Sequence, residues 1–95
     1  EDRMLFDTGA THHIVRERKY FKTIQDAETK TVRCGGGEQH QVLGSGIVTV
    51  QGPKGPVHLT DVLYVPTLTT NVLSGIKALR KGFTWTGSGS STTLL

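Results

Sequence analysis

At 95 residues the chain offers one domain's length, and a domain of that size buries only about two-thirds of the surface its unfolded chain exposes, so a partner would add to its stability. Hydrophobic residues at 35% and charged residues at 20% describe a soluble globular chain; no apolar run approaches the roughly 18 residues of a membrane span, and the opening residues carry no secretory pattern. The net charge of +3 and the pI near 9.3 come largely from Arg16, Arg18, Lys19, Lys22, Lys77, Arg80 and Lys81, scattered with few aromatics between them, which reads as a solvated surface rather than a nucleic-acid interface.

Taken in chain order, short strand-like runs dominate. "RMLFD" is the first, ending on Asp7-Thr8-Gly9-Ala10. "KTVRC" is the second and runs into Gly35-Gly36-Gly37. "QVLGSGIVTVQ" reads as extended chain broken at Gly44 and Gly46, and "GPKG" then turns into "PVHLTDVLYVP". Ile47, Thr49 and Gln51 alternate with Val48 and Val50, the period of two of a strand with one face in a core, so these two runs are predicted to form a hairpin.

One later segment reads as a helix of about two turns. Ser74 can cap it, Ile76 and Leu79 fall on one face, Lys77, Arg80 and Lys81 lie toward its end, and Gly82 stops it. Extended pieces "FTWT" and "STTLL" flank a flexible "GSGS". No internal repeat is visible. The expectation is an all-β fold with one short helix near its end, residues 1–95 forming a single domain.

Asp-Thr-Gly suits a bend after a strand, which is the plain explanation of Asp7. Its placement asks for more. The apolar run Met4-Leu5-Phe6 is expected to deliver the carboxylate to an interior loop, where an unpaired charge is costly unless it is hydrogen-bonded or shares a proton. A strand-end Asp-Thr-Gly marks aspartic proteases, in which two such loops meet and their carboxylates hold a water. Asp2, Asp26 and Asp61 are not followed by Thr-Gly or Ser-Gly, so the chain carries half a site and the other half is expected from a second copy.

"LFDTGATHHI", "VLGSGIVTV" and above all "LTDVLYVPTLTTNVLSGIKALRKGF" carry a resemblance over nearly the whole chain to the retropepsin-like proteases of copia-type LTR retrotransposons. It implies a small closed β-barrel with a flap hairpin and one short C-terminal helix, half of a two-fold symmetric homodimer that cleaves an extended polyprotein segment without metal or organic cofactor. Asp7 would be the catalytic acid, Thr8 the hydroxyl that bonds across the dimer axis, and Gly9 the backbone support of the carboxylate. Ala10 would sit beside the acid with no hydroxyl to donate, which implies a working range closer to neutral. The segment from Thr31 to Val42 resembles the flap, with Cys34 leading into a bendable tip at Gly35, Gly36 and Gly37. Val72, in Asn71-Val72-Leu73-Ser74, would line the side-chain pocket.

Two departures stand out. Retroviral relatives carry Gly-Arg-Asn or Gly-Arg-Asp where this chain has Ser74-Gly75-Ile76, so their arginine bridge to the loop behind the catalytic motif cannot form. Six residues precede Asp7, whereas retroviral enzymes use a longer N-terminal strand in the dimer sheet, so either the sequence is trimmed at this end or dimer contacts are expected mainly elsewhere.

The four histidines and Cys34 show none of the paired spacings of zinc sites, and no base is tied to Cys34 in the sequence. His13 is expected to make a structural hydrogen bond. Tyr64 and Trp85 are expected in the core or an interface. A lone cysteine favours a reducing, cytoplasmic setting. The competing functional reading is a copia-type domain that keeps the fold as an assembly or binding module without turnover; a basic nucleic-acid-binding β-domain is a third.

Overall fold

The computed structural model describes residues 3–7, 9–33, 36–52, 54–80 and 91–93. Within them lie nine strands, one short α-helix and a 3-10 turn at Arg18–Tyr20, an all-β fold. The strands β1 (Arg3–Asp7), β2 (Ile14–Val15), β3 (Phe21–Gln25), β6 (Gly44–Gly52), β7 (Gly55–Tyr64), β8 (Asn71–Ser74) and β9 (Ser91–Thr93) form one sheet in the order β3-β6-β7-β2-β8-β1-β9. The pair β4 (Thr31–Arg33) and β5 (Gln39–Gln41) stands apart as its own two-stranded sheet. The helix α1 (Gly75–Arg80) follows β8 directly. Among the described residues no helix is long and apolar enough to cross a membrane.

The predicted hairpin is β6–β7, closed by the Gly52↔Gly55 pair, with Gly55 at φ +118°, a conformation that L side chains rarely adopt. Val48 and Val50 are wholly buried while Gln51 is exposed, as the alternation requires. The expected break at Gly44 and Gly46 is corrected: β6 runs straight through both. These glycines instead let β3 lie close, since a Cβ on Gly46 would collide with the Thr23 carbonyl and one on Gly44 would come 2.9 Å from the Gln25 carbonyl.

Two irregularities bend this sheet. Between Gly46↔Val62 and Val48↔Leu59, two β7 residues, Thr60 and Asp61, oppose the single Ile47. The extra residue is taken up at Asp61, whose φ of +56° lies in the left-handed region that Asp tolerates better than most side chains. In β3 the register jumps between Phe21 and Thr23. That jump disrupts the period of two in β3, and β2 has only two residues, so neither is legible as a strand in the sequence.

Successive residues of a strand face opposite ways, and β2 and β7 use this to serve two cores. Val15 and Val62 join Phe21, Val48, Val50, Leu59 and Leu73 in one, with Phe6 and Tyr64 packed against it. Ile14 and Leu63 join Ala27, Val42, Val65 and Leu68 in the other, flanked by Val32 of β4 and Val72 of β8. Tyr64 meets Phe21 edge to face at 5.6 Å, the core role expected of it. The "FTWT" run with Trp85, and Gly82, lie outside the described residues.

Candidate active site

The register of β1 with β8 decides what each residue of the first strand faces. The parallel pairs are Leu5↔Val72, Phe6↔Leu73 and Asp7↔Ser74. Phe6 and Leu73 turn into the first core, so Leu5, Val72 and Asp7 emerge on the other side, where all three line a cleft of about 610 Å³. An apolar strand therefore ends on an acid because its alternate face is the floor of a cleft. The sequence-based expectation of an interior loop needs correction: in the single chain the Asp7 side is exposed. Its Oδ1 accepts the Gly9 N–H at 2.8 Å, and the Ala10 N–H donates to the Asp7 carbonyl at 3.3 Å, so the chain turns tightly behind the carboxylate. Thr8 lies outside the described residues.

The loop behind Asp7 is clamped from the side by Ser74. Its Oγ donates to the Ala10 carbonyl at 2.7 Å, and its N–H donates to Nδ1 of the buried His13 at 2.9 Å. The same Oγ accepts the Lys77 N–H at 3.3 Å, capping α1 as the sequence predicts. Serine and histidine thus brace the loop behind Asp7, and His13 makes the structural hydrogen bond expected of it. At the start of β8, the Asn71 side-chain carbonyl accepts the Arg16 N–H at 2.8 Å, and Arg16 Nε donates to the Leu68 carbonyl at 2.6 Å. These bonds tie the ends of β2 and β8 to the loop at the end of the cleft.

The opposite wall is the β4–β5 hairpin, which contributes Thr31, Val32 and Arg33 to the cleft. Its described tip includes Gly36 and Gly37, the latter at φ +85°, with Arg33 Nη1 donating to the Gly37 carbonyl at 3.1 Å. Cys34 and Gly35 lie outside the described residues. At the base, His40 Nδ1 and Thr67 Oγ1 are 2.7 Å apart, linking the hairpin to the loop before β8. Sequence reasoning placed Thr31 to Val42 in the flap with its tip at the glycines, but singled out neither the β4 residues that line the cleft nor the tether at His40. The alternation of Thr31, Val32 and Arg33 was the available signal, too short to carry weight alone.

His12 stands where the cleft meets a second hollow of about 400 Å³, lined by Asp26, Glu28, Asp61 and Lys77 among others. Burial holds the His12 pKa below its ordinary value, the nearby Lys77 charge lowers it further, and Asp61 opposes both. Lys77→Met is accordingly expected to raise the His12 pKa toward the ordinary imidazole value. A titration of the ring protons by NMR checks this, and an unmoved or lowered midpoint would refute the assignment of that field.

These features define a small β-barrel-type domain whose cleft holds one carboxylate at the end of an inner strand. The chain belongs to the family of the Pol polyprotein β-barrel domain, whose model matches residues 4–83. It is 37% identical over 70 residues to a Saccharomyces cerevisiae protein named for transposon Ty5-1, covering 74% of this chain and 45% of that one. It is also 31% identical over 84 residues to the retrovirus-related Pol polyprotein from transposon TNT 1-94 of Nicotiana tabacum, covering 87% of this chain and 6% of the polyprotein. The chain thus spans less than half the length of either relative. No solved structure matches it.

Proposed function

We propose that this Pol domain is one half of a retropepsin-like aspartic endopeptidase that cuts a transposon polyprotein. The observation that carries the reading is the position of Asp7: a strand-end carboxylate, propped by a backbone N–H, on the floor of a cleft whose far wall is a glycine-tipped hairpin. Two chains would bring their Asp7 side chains together about a two-fold axis, which accounts for an exposed acid in one copy. The peptide would lie extended between the hairpin and the β1–β8 floor, with Leu5 and Val72 offering apolar walls to alternate side chains.

In the pair, one carboxylate is ionised and one protonated. The ionised group takes a proton from the water that attacks the scissile carbonyl; the protonated group gives its proton to the forming oxyanion, and a proton then passes to the leaving nitrogen. The remaining sequence-based assignments are carried into this proposal: Thr8 beside the axis, Gly9 as backbone support, Ala10 flanking the acid, and Cys34 to Gly37 at the tip of a flap that would close over substrate.

The test is activity against concentration. Specific cleavage of a peptide from the parent polyprotein is expected to rise with protein concentration and to level off as sedimentation shows dimer. Its rate should pass through a maximum with pH, because the doubly protonated and doubly ionised pairs are both inactive. A specific activity that holds constant on dilution into monomer would exclude the two-chain site. A stable dimer without turnover on any Pol segment would leave the assembly-module reading instead.

A further inference from the structure

We propose that His13 is the positioning residue of this site: its neutral imidazole holds Ser74, Ser74 holds the loop behind Asp7, and uptake of a second proton by His13 releases that loop. The functional meaning of this latch rests on the aspartic reading above; its geometry does not.

His13 is 2% exposed and Ser74 is wholly buried. A backbone N–H can only donate, so the Ser74 N–H at 2.9 Å requires a lone pair on His13 Nδ1 and places the single ring proton on Nε2. A doubly protonated ring would turn N–H against N–H inside the protein, where neither group has water to turn to. Ser74 is in turn the lateral neighbour of Asp7 in the β1–β8 register, and its Oγ bonds the Ala10 carbonyl three residues behind the acid. One residue therefore joins β8, α1 and the Asp7 loop, and the proton state of His13 governs one of its three bonds.

Among the described residues, Asp7 lies beside Ser74 in the β1–β8 register, His12 precedes His13 in the chain, Lys77 donates its N–H to Ser74 Oγ, and Asp61 lines a hollow with His12 and Lys77. Lys77 and Asp61 act on His12 in opposite senses. The closed latch needs the Nδ1 lone pair and so disfavours a second proton on His13, whereas an unfolded chain accepts one around pH 6.5. The unfolded state then binds more protons as pH falls below that value, so the latch contributes its full stability above it and loses it below. The site would have an acid limit set by a histidine, distinct from the titration of the paired carboxylates.

The experiment compares melting temperatures of the wild type and His13→Asn from pH 8 to pH 5. The Asn Oδ1 can accept the Ser74 N–H and does not titrate. The wild type is expected to lose about 5 °C more than the variant over that range. Equal slopes would overturn the proposal. Should the variant fail to fold, the ring nitrogens of 15N-labelled wild type decide: an unprotonated Nδ1 at pH 7, and a Ser74 amide that shifts as His13 titrates, are expected. A protonated Nδ1 at pH 7, or a Ser74 amide that does not respond, would refute the latch. Neither readout needs turnover, so loss of the protease reading and loss of this one are separable.

Discussion

Replacing Asp7 with Asn is expected to remove the proposed peptide cleavage, by roughly a thousandfold or more, and to leave the fold in place. The substitution keeps size and shape, and Asn Oδ1 accepts the Gly9 N–H as the carboxylate oxygen does at 2.8 Å. The side chain is exposed in the single chain, so its exchange disturbs no core, and the melting temperature should move by no more than about 2 °C. What would be lost, in the proposed mechanism, is the group that takes a proton from water. Turnover within tenfold of wild type would rule out the proposed chemistry. Mixing extends the test: with a ninefold excess of Asp7→Asn chains at dimer-forming concentration, only about a tenth of the wild-type chains find a wild-type mate under random pairing. Activity per wild-type chain should fall accordingly. A monomeric enzyme would show no such fall.

Gly46→Val is expected to be the most destabilising single change in the described fold. The new Cβ would collide with the Thr23 carbonyl, a backbone group that cannot rotate aside, so β3 must move away from β6. Phe21, now 5% exposed and packed edge to face on Tyr64, would lose its place with it. A cost of about 4 kcal/mol or more follows, a large part of the roughly 5–15 kcal/mol that holds a domain folded. At roughly 4–8 °C per kcal/mol the melting temperature should drop by about 20 °C. Gly36→Ala is the contrasting case: its nearest neighbour is the flexible Glu38 side chain at 3.3 Å, and its effect should be within about 0.5 kcal/mol. Chemical denaturation of the two variants checks the pair. A Gly46→Val protein that unfolds where the wild type does would show that the β3–β6 approach is not the tight contact described.

The sequence by itself determined those features whose causes act within a few residues. Alternation marked β6 and β7 and the turn between them, an apolar run closing on Asp-Thr-Gly marked β1 and its acid, and a serine before Gly75-Ile76-Lys77 marked the capped start of α1. Each rests on a local rule of backbone geometry, so each survives without knowledge of the rest of the chain. Only the tertiary structure decided which face of β1 meets the core. That depends on its pairing with β8, about 67 positions along the chain, and it puts Asp7 in an open cleft rather than a buried loop. The bulges at Lys22 and Asp61 hid β3 and re-aimed a strand, because an extra residue has meaning only against a partner. The glycines of β6 looked like strand breaks until β3 was seen lying across them. His13 and Ser74, 61 positions apart, show no mutual signal in the sequence, since a hydrogen bond of that separation leaves no period to read; it takes the folded chain to bring the imidazole to the one N–H that needs it.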